Sequence, residues 1–414
     1  MTRVERYLVG VLFLGMVLTS GMAGEITLAV NPTEVPTSLV LGSLWFLVLV
    51  TLSAWVVFLK PNVKILLMSN PFYWAALLLA LVSILWSANP LWSIRSLAML
   101  ATTFLIATVL AVGLSRKLSY LLVHALFGFA IIASMVVAIV WPDIGVQSAG
   151  WRGLFGGRSW LGNAAALWAI LWVAPALQRR DMRSILAAVL VIACAWWVLQ
   201  QTGSASAKLS LVASLYVLLG LLLIDRGWLK LWQFLGFSIV VMIGLLFAQE
   251  LIYSSLGRNM RWAGRTDVVW PALWPLMLER PWLGYGYDAW LHAEGVIDRL
   301  PERWARRALA GADVHHGLIR MQLDIGIIGV LLVIAMFTQF GMRIAKWLRT
   351  GQMNILRYTA AGLWVVIVVN QMTEPSIFMP VSLTVLLLVF TAYVTYADNQ
   401  NLPWDHVKKK LERE

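Results

Sequence analysis

The chain reads as an all-α integral membrane protein of about twelve transmembrane helices, with one long polar loop between the ninth and the tenth. Three observations carry that prediction. Hydrophobic residues make up 60% of the 414 and charged residues only 13%, with a mean hydropathy of +0.79. Apolar runs near the ~20 residues that cross a bilayer recur along the whole length. Basic residues, finally, collect in every second gap between those runs.

Taken in order, the runs fall at 7–22, 38–59, 71–87, 96–114, 120–141, 161–177, 185–200, 208–224, 232–248, 325–341, 358–371 and 377–396. Each satisfies its backbone hydrogen bonds internally as a helix, so the chain is expected to be a single polytopic membrane domain over 1–414. The run at 7–22 is read as a retained span, because it completes an even count; with Arg3, Arg6 and the small residues after Thr19 it also has the outline of a cleavable signal. Arg3/Arg6, Lys60/Lys64, Arg116/Lys117, Arg179/Arg180/Arg183, Arg226/Lys230, Arg343/Lys346/Arg349/Arg357 and Lys408 to Lys410 occupy alternate gaps. The positive-inside rule makes these gaps cytoplasmic and places both termini there, including a short surface tail over 397–414. The complementary gaps, among them the loop at 249–324, then face outward.

Net charge of +12 needs no nucleic acid to explain it. Topology and attraction to anionic lipid account for it, at roughly 1 kcal/mol per basic residue near the surface. The one cysteine, Cys194, lies in an apolar run and supports neither a disulfide nor a metal cluster.

The outward loop concentrates the polar chemistry. Between 250 and 324 stand nine arginines and no lysine, against nine acids. A guanidinium is a rigid fork matched to paired phosphate oxygens, whereas lysine is a flexible point charge. The stretch 299–307 has the pattern of an interfacial amphipathic helix with Trp304 at headgroup level. Gly264-Arg265-Thr266-Asp267 has the form of a turn and helix start. Apolar residues 268–278 follow, with Pro271 and Pro275 bending any helix there, and Arg280-Pro281-Trp282-Leu283-Gly284-Tyr285-Gly286 ends it in a breaker and two permissive glycines. Five tryptophans of the loop, Trp262, Trp270, Trp274, Trp282 and Trp290, are candidate stacking faces for sugars.

Asp313-Val314-His315-His316-Gly317 stands just before the tenth span. Adjacent helical residues point about 100° apart, so the two histidines do not suit one metal ion. They read equally as a general base for a hydroxyl acceptor or as ordinary interfacial histidines. His124, near the inner end of the fifth span, is expected either to hydrogen-bond a neighbouring helix or to snorkel to the interface.

Gly264-Arg265-Thr266-Asp267, then Arg280-Pro281-x-x-Gly284-x-Gly286, then His315-x-Gly317 running into Asp324-x-Gly326-x-x-Gly329 resembles the signature of the O-antigen ligase and O-antigen polymerase superfamily of bacterial membrane glycosyltransferases. Residues 151–163, from Trp151 through Arg152 and Arg158 to Asn163, resemble the outward segment before their sixth span. The resemblance implies an inner-membrane enzyme, its site facing the periplasm, that transfers a glycan from a polyprenyl-diphosphate carrier to an acceptor hydroxyl. The acceptor is lipid A–core in the ligases and a second carrier-linked glycan in the polymerases. It implies Arg265 as the donor-diphosphate residue and His315 as the residue that activates the acceptor. His316 stands where the family commonly has Asn, which leaves it as an alternative base. Arg152, Arg158, Lys208 and Arg320 are candidate further cations for the diphosphate, and Gly264, Pro281, Gly284, Gly286 and Gly317 shape the loop.

Expulsion of a diphosphate builds negative charge on the leaving oxygens, which fixed cations stabilise. No Asp-x-Asp pair occurs to hold a divalent ion, so arginine in place of metal, with no cofactor, is the expectation. The rival is a transporter or flippase of the same lipid-linked sugar. Such proteins betray themselves by internal repeats and ionisable residues within spans, and the chemistry here is gathered in one loop instead.

Overall fold

The computed structural model describes residues 3–20, 22, 37–59, 63–147, 150–179, 181–241, 243, 269–302, 314–351 and 353–400. It is an α-helical bundle interrupted by a two-stranded ribbon in which Val146–Gln147 pairs antiparallel with Gly150–Trp151. In chain order the helices are α1 Arg3–Thr19, α2 Thr37–Leu59, α3 Val63–Ser69, α4 Pro71–Val82, α5 Pro90–Val112, α6 Arg116–Val140, α7 Arg158–Arg179, α8 Met182–Thr202 and α9 Ala205–Asp225. After them come α10 Leu231–Val241, α11 Trp270–Glu279, α12 Gly317–Arg349, α13 Ile355–Gln371 and α14 Leu383–Asn399.

Helix starts follow local chemistry. Asn89 accepts from the Trp92 amide with Pro90 at the first helical position, and Ser115, Asp181, Ser204, Asn354 and Ser382 cap α6, α8, α9, α13 and α14 in the same way. Gly203, at φ 60°, ends α8 in the left-handed conformation.

Six helices among the described residues are long and apolar enough to cross a membrane: α5 to α9 and α12. A bent pair formed by α2 and α3 is a further candidate, and five apolar helices are shorter. This is a multi-pass, all-α membrane protein; six crossings rest on length and hydropathy, against the twelve expected. Two expected spans also shift. The one at 325–341 is the centre of a 33-residue helix that already begins at Gly317, and the one at 377–396 starts at Leu383 because residues 372–382 form a turn.

At the middle of the bundle lies α7. Ala165, Ala166, Ala169 and Ala174 are fully buried on it, and small residues of this kind let helix backbones approach closely where lipid supplies no hydrophobic drive between helices. Gly362 of α13 shows the consequence: a Cβ there would meet Ile170 Cγ2 of α7 at 2.7 Å. Beside this seam, His124 brings Nδ1 within 2.8 Å of the Tyr120 carbonyl and Nε2 within 3.3 Å of the Leu171 carbonyl of α7, the neighbouring-helix contact its position suggested. Cys194 is half-buried and its Sγ lies 3.7 Å from Met135 Sδ.

Polar contacts segregate to the two ends of the bundle. At one end Tyr358 donates to Asp225 at 2.9 Å, Arg357 reaches Asp398 at 3.0 Å and Asn399 at 2.7 Å, and Trp347 donates to Asn399 at 3.0 Å. The opposite end carries the loop, the histidines and the start of α7.

Candidate active site

The site is built on a broken helix. Within α12, Ile325 (φ −133°, ψ 18°) and Gly326 (φ 70°, ψ −172°) leave helical geometry, which frees backbone groups that cannot stay unsatisfied in a bundle. The segment 281–286 satisfies them: Tyr285 donates its amide to the Leu323 carbonyl at 2.8 Å, Gly286 to Asp324 at 2.9 Å, and Ile327 donates to the Pro281 carbonyl at 2.8 Å. Such close backbone contact admits no side chain. A Cβ on Gly284 (φ 64°) would sit 2.5 Å from Leu323 O, and one on Gly326 would sit 2.1 Å from Trp282 O. The glycine pair of the loop and Gly326 are therefore two halves of one join.

Asp288, itself at φ 58°, fastens the same segment sideways. It accepts from Trp92 Nε1 at 3.0 Å and from Ser96 on α5, and it pairs with Arg320 on α12. Arg320 is buried at 9% exposure and also reaches Asp324 through Nε at 2.7 Å. With two carboxylates on one guanidinium, the geometry gives Arg320 the task of anchoring the loop to α12. Both contacts occupy the fork that the sequence offered to a diphosphate. Trp290, one of the five tryptophans expected to offer sugar-stacking faces, is fully buried in a satellite apolar cluster with Leu273, Leu276 and Val314 and presents no such face. Trp274 and Trp282 remain exposed. Tyr285 donates to the Leu276 carbonyl and to Glu279. Burial, reinforced by the Glu279 charge, pushes its phenol up to about 12.

The histidine doublet divides. His316 is the N-cap of α12, its Nδ1 accepting from the Ile319 amide at 3.4 Å. Its ring packs edge-on against Trp270 at 5.3 Å, and burial pushes its pKa below the ordinary histidine value. His315, one residue outside the helix, is held at φ 55°. Left-handed backbone at a non-glycine residue costs about 1 kcal/mol and is concentrated at functional sites. Here it accompanies a specific contact: His315 Nδ1 lies 2.9 Å from Glu374 Oε2. With the carboxylate accepting, Nδ1 carries the proton and Nε2 keeps its lone pair.

Glu374 was not singled out in the sequence. It belongs to the turn 372–382 between α13 and α14, where its other oxygen accepts from Ser159 Oγ, in the first turn of α7, at 3.2 Å. The turn is held firmly. Gln371 accepts from Ser376 through its amide and its hydroxyl, Tyr73 donates to the Ile377 carbonyl at 2.7 Å, and Tyr287 donates to the Phe378 carbonyl at 2.6 Å. Gly317 lets α12 pass directly over Gln371, where a Cβ would meet Nε2 at 1.8 Å. The signal that could have found Glu374 is its isolation, since it is the one acid between Asp324 and Asp398.

Beside the dyad opens a cleft between the start of α7, the turn and the start of α14; Ser159, Asn163, Asn370 and Glu374 line it. Of the expected cations, Arg158 neighbours Ser159 at the first position of α7. Arg152 donates through Nε to the Ile144 carbonyl at 2.7 Å, and Lys208 donates to Gln200 at 2.8 Å. Gly264 and Arg265, and the amphipathic stretch beyond Glu302, lie outside the described residues. Among the described residues no group of three or more His, Cys, Asp or Glu is arranged to hold a metal ion.

A bent helix, a stapled loop and a His–carboxylate pair at one end of an apolar bundle define a multi-pass membrane protein with the parts for acid–base chemistry. Residues 190–334 match the family model described as O-antigen ligase, which supports the likeness to the O-antigen ligase superfamily that the sequence motifs carry. That stretch spans α8 to the middle of α12 and includes His315 and both halves of the join. No curated protein matches the chain.

Proposed function

We propose that this protein transfers a glycan from a polyprenyl-diphosphate carrier to an acceptor hydroxyl at the outward, periplasmic end of the bundle. The observation that carries the reading is the His315–Glu374 pair at 2.9 Å, set in a chain with an O-antigen ligase match. Glu374 fixes the imidazole so that Nε2 is the basic nitrogen. The acceptor O–H gives its proton to Nε2 as its oxygen bonds to the anomeric carbon. The anomeric C–O bond to phosphate breaks, and its electron pair leaves with the diphosphate. Arg265 and Arg158 meet the charge that develops there, a contribution made mainly in the transition state and requiring no metal ion. The carrier's polyprenyl tail is apolar and lies among the spans.

The match is to the ligase description, and lipid A–core is accordingly the acceptor we assign. The test supplies purified protein with a polyprenyl-diphosphate-linked oligosaccharide and either lipid A–core or additional donor, with His315→Ala as control. Product on lipid A–core is the expected result. A ladder on the carrier makes the protein a polymerase of O-antigen or exopolysaccharide repeats, and absence of any His315-dependent product points to a transporter of the lipid-linked sugar.

A further inference from the structure

The cleft beside the dyad holds two buried acceptors that the fold leaves open. Asn163 Oδ1 and Asn370 Oδ1 are buried and without a hydrogen-bond partner, and Asn370 is only 3% exposed. Asn163 is held in place from its other end, Nδ2 donating to Thr384 Oγ1 at 3.0 Å. The three serine hydroxyls nearest the dyad are committed inward: Ser159 donates to Glu374, Ser376 to Gln371 and Ser382 to the Ser376 carbonyl. The two buried amide oxygens therefore stand as acceptors still open to a donor. An unsatisfied buried acceptor costs roughly 1–3 kcal/mol, so a ligand bringing O–H groups is matched here. An ionised diphosphate brings acceptors only and would face Glu374 as well, with no basic residue in the lining among the described residues. Trp160, 36% exposed on the same wall, adds the aromatic surface on which sugar rings pack.

We infer that this cleft, with Asn163 and Asn370 as its acceptors, is a subsite for a neutral sugar ring of the glycan substrates, separate from the diphosphate position. The inference rests on the transferase reading and specifies where that reaction holds its sugar. Binding, not turnover, tests it. The full-length protein in detergent is titrated with two probes: the oligosaccharide released by mild acid from carrier lipid of the native membranes, and the oligosaccharide of lipid A–core. Saturation-transfer NMR and tryptophan fluorescence report binding. One of the probes should bind and identify the ring as donor-derived or acceptor-derived. Asn163→Ala and Asn370→Ala should each weaken it at least tenfold, Asn163→Asp and Asn370→Asp much less because the acceptors are kept. Trp160→Leu, at a half-exposed position on which the core does not depend, should weaken it about threefold or more and removes reliance on the buried variants. Inorganic pyrophosphate should not compete. No binding of either probe, unchanged affinity across the variants, or displacement by pyrophosphate would each overturn the subsite. Failure of the transferase reading is read elsewhere, as loss of His315-dependent product, and leaves the binding result standing.

Discussion

His315 and Glu374 are 59 positions apart in the chain, yet Nδ1 and Oε2 meet at 2.9 Å. The contact joins the residue just before α12 to the turn between α13 and α14, and through Ser159 it extends to the start of α7. Three separate apolar segments must pack correctly before the pair exists, so the chemistry is conditional on the fold.

From this relationship, His315→Ala should abolish transfer, a loss of roughly 10² to 10⁴ in kcat for a general base. Glu374→Gln should keep the protein folded and lower kcat less, because an amide still offers an oxygen to Nδ1 but no longer stabilises the imidazolium formed in the reaction. Initial rates with saturating donor and acceptor decide it; a Glu374→Gln enzyme with wild-type kcat removes the dyad from the mechanism.

Much of this was legible beforehand. Apolar runs gave the helices, and the glycines at 284, 286, 317 and 326 stand where backbone passes too close for a Cβ. His315 was visible as an outward histidine. Glu374 was hidden because its segment reads as a short polar gap between two spans, and nothing local links Asn370-Gln371-Met372-Thr373-Glu374 to a loop 59 residues earlier. The contacts of Arg320 were hidden for the same reason. Arginine content suggests phosphate, and only three-dimensional placement reveals that Asp288 arrives from another segment to engage it.

His316→Asn should retain near-wild-type activity. Asn is among the best N-cap residues and replaces the acceptor that Nδ1 offers to the Ile319 amide. His316→Ala should lose the cap, about 1 kcal/mol, and lower the melting temperature without the collapse in kcat expected of His315→Ala. Protonation of His316 abolishes the same acceptor. Because burial depresses its folded pKa, the unfolded chain binds the proton more readily, and this contribution is present above the ordinary histidine pKa of about 6.5 and declines as pH falls through it. Thermal melts of wild type and His316→Asn between pH 5 and 8 should diverge in that direction.

The join between loop and broken helix should be intolerant of one methyl group. Gly326→Ala places a Cβ 2.1 Å from the Trp282 carbonyl in a backbone region where a side chain costs roughly 1–3 kcal/mol. A marked drop in melting temperature in detergent is expected. Gly295→Ala shares a positive φ but has nothing within 4 Å, so it should cost only the conformational part. Equal losses at the two positions would show that the collision does not matter.

Arg265→Lys should lose most activity with little change in melting temperature, since a lysine supplies charge but not the paired donors that hold a diphosphate. EDTA should leave the wild-type rate unchanged. Full activity in Arg265→Lys removes the proposed clamp, and inhibition by EDTA that is reversed by a divalent ion replaces it with a metal.

Arg320 provides the opposite signature. Its guanidinium sits between Asp288 and Asp324 at 9% exposure, and removal of one member from a buried ionic group costs about 3–5 kcal/mol by stranding the others. Arg320→Ala should therefore destabilise the protein heavily. The triple change Arg320→Met, Asp288→Asn, Asp324→Asn leaves no stranded charge and should restore much of the melting temperature. A phosphate-binding residue would behave differently: the triple variant would stay inactive with a raised KM for donor however well it folded. The measurement is thus a pair, melting temperature and donor KM, on the single and triple variants. Recovery of both assigns Arg320 to the architecture that presents His315, whereas recovery of the melting temperature alone returns it to the diphosphate.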